Sequence, residues 1–495
     1  MTDIIDIDEE AACHSLAALA GMPGALAQVI RQTREARNSV VWRVPVTPRT
    51  VYCAGSLHRL AVETGARIEF RLAGELDERA LAFFRDYQHH RLTAVRASRM
   101  WRLAGEWLSA GREAHDAAVR LWWAGGRCVG APATFDSVVI IGAYGGDHIG
   151  DAAILGGVAL DVHRAYGATH AFVMSARPDH TRRLVEGISV PLQFEIEPYE
   201  AALVDRRLSE AGALVLGGGP LFDSPRMLAR HFAAVETARR MGKPFLIKGV
   251  GLSTSFSNPV SKWAARRILT AATSISVRSS KSGRHPLMAG LHAEIGRDLA
   301  FDYLEGRTPD RLPPQDEAAA EALLAGTGDA LVIGINLRPT ENNWRKLPDL
   351  RAPMVNTSFL REMAEGLAHF GAASGRRCVF VFFPMNSIQL GMSDLAAAYE
   401  LQRIVADAID LRVWEGDPCI DGVLNLLRRL DAVVAMRFHA AVFALAQRVP
   451  VIGIDYYPGG KVCQLFSDLH RSSDAATVEG FKGAWLSGRL LEKVT

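Results

Sequence analysis

Short runs of β-branched and aliphatic residues, each followed by a longer stretch with apolar positions at helical spacing, recur from residue 136 onward. "SVVIIGAYGG", "HAFVMSARPD", "GALVLGGGPL", "PFLIKGVGLS" and "SISVRSS" read as strands that run out into loops. Continuous apolar runs of this length mark parallel strands buried on both faces. Between them, Asp151 to Tyr166 and Ser224 to Arg240 keep the helical period. Residues 131–305 are therefore predicted to form a doubly wound α/β domain. A polar, Pro-rich stretch makes 306–326 a linker, after which "ALVIGINLRP", "CVFVFFPMN", "AVVAMRFH" and "VPVIGIDYY" supply the strands of a second α/β domain, residues 327–495. The first 130 residues are less regular. Strand-like "SVVWRVPV" and "ARIEFRLAG" precede a helical region from Asp77 to about Ala124, and the segment is expected to be an appended α+β domain.

Composition narrows what such a chain can do. With 495 residues, 49% of them hydrophobic, it can bury several cores. Lys and Arg total 56 against 54 acidic residues, and a net charge of +2 gives no field that would draw in nucleic acid; an anionic partner has to be recognised locally. The six cysteines are scattered with no CxxC pair, which fits a reducing cytoplasm better than a zinc or redox site. The acidic start "MTDIIDIDEEAACHS" lacks the basic beginning of a signal peptide, and no apolar run reaches the ~18 residues of a spanning helix. The expectation is a cytoplasmic protein that is neither exported nor membrane-spanning. One stretch qualifies this: Trp101, Trp107, Trp122 and Trp123 interleave with Arg at helical spacing. It reads either as a peripheral contact of the N-terminal domain with the inner membrane face or as an amphipathic helix packed on its own domain.

Ligands of open α/β sheets bind beyond the carboxyl ends of the strands, so the strand-to-helix loops hold the candidates. "GAYGGDHIGDAAIL" offers Gly145, Gly146 and His148 before a helix that Asp151 could cap, and matches neither a Walker A nor a GxGxxG pattern. "VLGGGPLFD" offers Gly218 and Gly219. Glycines here permit close approach of a ligand to the backbone, and tight-turn packing explains them as well. Arg278 ends one strand and Arg338 another. In "VVAMRFHAAVFALAQRVPVIGIDYYPGGKV", Arg437 and His439 fall at a strand-to-helix junction and Lys461 beyond the next strand. A guanidinium beside a helix N-terminus suits a phosphate or carboxylate. No cluster with metal-ligand spacing is visible.

Taken in order, "GAYGGDHIGDAAIL", "LVLGGGPLFD", "SVRSSKS", "RDLAFD" and above all "MRFHAAVFALAQRVPVIGIDYYPGGK" resemble the polysaccharide pyruvyl transferase family over residues 136 to 465. The resemblance implies a GT-B-like fold, with two Rossmann-like doubly wound domains facing a cleft, and no cofactor or metal. It implies an enzyme of exopolysaccharide and cell-envelope biosynthesis that takes phosphoenolpyruvate as donor, forms a pyruvate ketal on a sugar or lipid-linked oligosaccharide acceptor, and releases phosphate. By motif, Arg437 and Arg278 would hold the donor's phosphate and carboxylate, Lys461 would assist, and His439 would be the general acid. Asp151 would orient an acceptor hydroxyl, or simply cap its helix. Two positions depart from the family pattern: His148 stands where Asn is usual, and Ser279 follows Arg278 where Asp is usual. Two other functions fit the same residue types: a nucleotide-sugar glycosyltransferase of GT-B type, and a catalytically silent anion- or glycan-binding protein.

Overall fold

The computed structural model describes residues 2–13, 25–36, 38–47, 50, 57, 60, 61, 64–73, 128–145, 149–219, 222, 225–252, 259–309, 312–339, 357–386, 394–416 and 418–494. The Trp/Arg-rich stretch and the helical region from Asp77 to Ala124 lie outside them.

Three parallel strands come first, β1 (Thr2–Asp6), β2 (Ser39–Val46) and β3 (Arg67–Leu72), in the order β1-β2-β3. In β2, Val40, Trp42, Val44 and Val46 are buried in strict alternation, the pattern of a strand with one face on a core. The next sheet contains β4 (Ser137–Ile141), β5 (His170–Ser175), β6 (Gln193–Pro198), β7 (Ala213–Gly219), β8 (Phe245–Val250), β9 (Ser274–Val277) and β10 (Glu294–Ile295), in the order β10-β9-β8-β7-β4-β5-β6. The last contains β11 (Leu331–Asn336), β12 (Cys378–Phe382), β13 (Asp410–Val413), β14 (Ala432–Ala435), β15 (Val451–Asp455) and β16 (Ala475–Thr477), in the order β13-β12-β11-β14-β15-β16.

Every pairing in both larger sheets is parallel. In each sheet the first strand is central, two strands follow on one side, and the chain then returns to build the other side. This is the order of a Rossmann fold, and each sheet has its own topological switch point, between β4 and β7 and between β11 and β14. The central strands β7, β11 and β15 are buried at every residue, as strands covered on both faces must be.

The chain divides into two compact units at boundaries other than those read from the sequence: Thr93–Arg307 is one, and Met1–Leu92 joins Thr308–Thr495 in the other. The reason is a shared core, since Trp42, Val44, Val46 and Leu57 belong to the same buried cluster as Leu331, Ile333, Phe370 and Leu490. The stretch read as a linker also holds structure. Helix Pro314–Leu324 starts with a proline, whose missing N–H costs nothing in a first turn. Its buried Asp316 accepts the amide of Cys419 at 2.9 Å.

One buried group makes this fold acid-sensitive. His231, on helix Pro225–Arg240, is fully buried and meets the Tyr199 hydroxyl through Nδ1 at 3.0 Å. Burial, and secondarily the Arg230 charge beside it, lowers its pKa to about 3. The unfolded chain binds the proton that the folded one refuses, so stability present above the ordinary pKa of about 6.5 is lost as pH falls toward 3. We expect urea unfolding between pH 7 and pH 5 to lose about 2 kcal/mol more in the natural protein than in His231→Gln. Equal losses would show that His231 is not held neutral.

Candidate active site

Strands β11, β14 and β15 are neighbours in register, with Ile333 opposite Ala432 and Val433 opposite Val451. Being parallel, they end at the same sheet edge, and strands lie about 4.8 Å apart. That edge brings together four of the residues singled out in the sequence: Arg338 follows β11, Arg437 and His439 follow β14, and Lys461 follows β15. The β11–β14 pair is the switch point of this sheet, where the connections leave in opposite directions and open a crevice.

Arg437 is held in place by residues the sequence reading passed over. Its Nε and Nη2 donate to Asp394 Oδ1 at 2.9 and 2.6 Å, and its backbone N–H donates to Asn336 Oδ1 at 3.0 Å. Asp394 opens helix Asp394–Val405, and its Oδ2 accepts the amides of Met385 and Asn386 at 3.0 and 3.2 Å and Asn336 Nδ2 at 3.3 Å. Asn336 also donates to the Phe383 carbonyl at 3.0 Å. With Asp394 and Asn336 at 0% exposure and Arg437 at 7%, this is a buried ion pair whose carboxylate accepts five donors. Such a pair survives burial only when its remaining polar atoms are satisfied, and here they are. The guanidinium is thereby set in orientation before any ligand arrives, which removes rotamer freedom of about 2 kcal/mol from the cost of binding.

Arg437 is also the N-cap residue of helix Phe438–Ala446, without capping it by its side chain, and His439 lies in the first turn. That helix, "FHAAVFALA", is apolar almost all round, which buries it and holds His439 at 7% exposure with its ring edge-on to Phe438, 5.1 Å between centroids. The half-buried Arg338 lies over the Tyr456 ring, 4.7 Å from its centroid, an attractive arrangement for a guanidinium. Lys461 is the first residue of helix Lys461–Asp468. A cation there opposes the helix dipole, an arrangement that an anion nearby would relieve. Two residues on, burial and the neighbouring Asp455 charge push the Cys463 thiol up to about 11, so it stays protonated.

The remaining candidates belong to the other unit. Arg278, after β9, donates through Nη1 to Asp298 Oδ2 at 2.9 Å, with side chains 6% and 1% exposed. A Cβ at Gly251 would strike Arg278 Nε at 2.7 Å, which explains the glycine at the end of β8. Ser279 caps the short helix Ser280–Gly283, accepting the Ser282 amide at 3.2 Å. Gly145 has φ +93, and its carbonyl accepts Arg177 Nε at 2.6 Å. Gly218 and Gly219 have φ +71 and +81, and a Cβ on Gly218 would overlap Ile154 of helix Ile149–Tyr166. Backbone conformation and helix-to-strand packing therefore account for these glycines without a ligand. Asp151 lies in the first turn of that helix, where a carboxylate is favoured, and its charge adds to burial in raising the pKa of Tyr144, whose hydroxyl donates to the Gly217 carbonyl. Gly146 and His148 lie outside the described residues.

Among the described residues no group of three or more His, Cys, Asp or Glu could hold a metal ion, and no helix is long and apolar enough to cross a membrane.

The family model for polysaccharide pyruvyl transferase matches residues 148–457, well over half of the chain. None of the curated proteins compared with the chain matches it. Among solved structures it is similar to a UDP-GlcNAc 2-epimerase from Methanocaldococcus jannaschii (9% identity, 72% of this chain and 91% of that one, TM-score 0.47). It is also similar to the UDP-GlcNAc 2-epimerase of Neisseria meningitidis bound to UDP-GlcNAc (11%, 72% and 94%, 0.42) and to the ADP-heptose LPS heptosyltransferase II of E. coli (13%, 72% and 97%, 0.40).

The Arg437–Asp394 pair makes a measurable claim. Removing one partner of a buried pair strands the other, so Arg437→Ala and Asp394→Ala are each expected to cost about 3 to 5 kcal/mol in urea unfolding. The double variant should cost clearly less than the sum. Additive losses would mean that the two side chains do not depend on one another.

Proposed function

The chain belongs to the polysaccharide pyruvyl transferase family, and from that premise we propose that it transfers the carbon skeleton of phosphoenolpyruvate onto two hydroxyls of a glycan or glycan-precursor sugar, forming a cyclic ketal. The observation that carries this reading is the convergence of Arg338, Arg437, His439 and Lys461 on one edge of β11, β14 and β15. Three cations suit a small donor with a phosphate and a carboxylate, and the histidine supplies an acid beside them.

Phosphoenolpyruvate is an enol ether in electronic terms. His439 delivers a proton to the C3 methylene, the C3 carbon becomes a methyl group, and positive charge develops at C2. A sugar hydroxyl adds there and loses its proton. The C2–O bond to phosphate then breaks, and a second hydroxyl closes the ring. Of the two hydroxyl protons, one balances the proton now in the methyl group and the other leaves with phosphate. Charge at the carboxylate and phosphate persists throughout, so fixed cations stabilise every stage. Arg437, oriented by Asp394, and Lys461 hold the anion in this reading, with Arg338 behind them. The roles implied for Arg278 and Asp151 are proposals of the same kind for the other unit. A sugar or lipid-linked oligosaccharide is the proposed acceptor, the protein working in the cytoplasm or at the inner membrane face.

Phosphate release from phosphoenolpyruvate in the presence of an acceptor panel tests the donor. Release of nucleotide from a nucleotide sugar instead, with phosphoenolpyruvate inert, would replace this reading with a glycosyltransferase. Within it, His439→Ala should leave donor binding within a few-fold while turnover falls by roughly 10² to 10⁴, the usual contribution of a general acid. Near-normal turnover in a folded His439→Ala protein would remove the histidine from the mechanism.

A further inference from the structure

The loop that carries Lys461 is wrapped around a buried carboxylate. Asp455, the last residue of β15, is 0% exposed. Its Oδ2 accepts the amides of Val462 and Cys463 at 2.9 and 3.0 Å, the two residues that follow Lys461. Burial raises the pKa of Asp455, and the amides of Tyr456 and Tyr457 join those of Val462 and Cys463 in opposing that rise. Gly460 presses on the same group, because a Cβ there would overlap Oδ1. The backbone of Asp455 takes part as well, its carbonyl accepting the Val478 amide at 2.8 Å. The run "DYYPGGK" is thus a turn folded about its own first side chain, with Lys461 held between Gly460 on one side of the carboxyl and the Val462 amide on the other.

A consequence follows for the anion site. The N-terminal amides of helix Lys461–Asp468 already serve Asp455, so the helix start itself is filled from within, and a ligand there would meet the Lys461 side chain. The same turn sets Tyr456, whose ring lies against Arg338. Two of the three proposed donor-binding cations therefore depend on where one carboxylate holds one loop.

We propose that Asp455 is a positioning residue for donor binding: through the Tyr456–Gly460 turn it sets Lys461 and the Tyr456 platform under Arg338. The proposal rests on the phosphoenolpyruvate reading above, and it assigns Asp455 a role in binding and none in proton transfer.

Steady-state kinetics and phosphoenolpyruvate calorimetry on the full chain test it with Asp455→Ala, Lys461→Ala and their double variant. Asp455→Ala should raise KM for the donor about tenfold with kcat within a few-fold, the size of one charge-assisted contact misplaced. Asp455→Asn, which keeps an acceptor oxygen, should recover most of the loss. The double variant should cost clearly less than the sum of the two single losses, because part of the Asp455 effect passes through Lys461. An unchanged KM in folded Asp455→Ala, or full additivity with Lys461→Ala, overturns the proposal. If Asp455→Ala does not fold, Gly460→Ala disturbs the same contact from the other side, and a normal KM there overturns it equally. If the natural protein ignores phosphoenolpyruvate altogether, the functional reading fails and Asp455 is judged separately. Borohydride-trapped labelling of Lys461 by pyridoxal phosphate, read by peptide mass spectrometry, should then fall severalfold in Asp455→Ala, and undiminished labelling rejects the role.

Discussion

A guanidinium buried against a carboxylate is the constraint on which the candidate site depends. Neither charge of the Arg437–Asp394 pair would tolerate its 7% and 0% exposure alone, and the pair is tolerated because Asp394 also receives Asn336, Met385 and Asn386. Those partners come from the end of β11 and from the loop after β12, while Asp394 itself opens helix Asp394–Val405. One side chain thereby ties together the loops after β11, β12 and β14. The orientation of Arg437 is a property of the whole sheet edge, and His439, two residues on, inherits it through the first turn of its helix.

The other unit repeats the device with different residues. Arg278 follows β9 and is clamped by Asp298, whose Oδ1 accepts the Ala300 amide at 3.1 Å. In both places a strand-end arginine is neutralised by an aspartate that is itself held by backbone amides. Charge neutralisation makes burial tolerable, and amides on the carboxylate keep its position independent of the arginine. In the proposed function, an anion arriving at Arg437 would meet a guanidinium already oriented by Asp394, with further positive charge from Arg338 and Lys461.

Much of this architecture was legible in the chain, because buried parallel strands must be apolar throughout. "SVVII", "ALVLGGG", "LVIGIN" and "VIGID" announce the centres of both sheets. The strands of these two sheets that went unread, Gln193–Pro198, Glu294–Ile295, Asp410–Val413 and Ala475–Thr477, lie at sheet edges, are short or half-exposed, and leave no apolar run to detect. Arg437, His439 and Lys461 stood out as cations at strand ends. Asp394 and Asn336 did not, because a carboxylate 43 residues from its arginine gives no local signal and only the fold makes them neighbours. The glycine loops left two readings open in the sequence, and at Gly218 the structure supplies the packing one: its φ and the approach of Ile154 suffice to require glycine. The N-terminal segment looked separate because its join to residues 308–495 is made by core packing, which leaves no mark in composition.

The proposed chemistry requires a proton to reach C3 of phosphoenolpyruvate before the ketal forms, so the most direct measurement follows that proton. Run in deuterium oxide with a competent acceptor, the reaction should give a ketal whose methyl group carries one deuterium, seen by mass spectrometry and by deuterium NMR, with one phosphate released per ketal. A ketal methyl free of deuterium, or a product without the three-carbon unit, would contradict it.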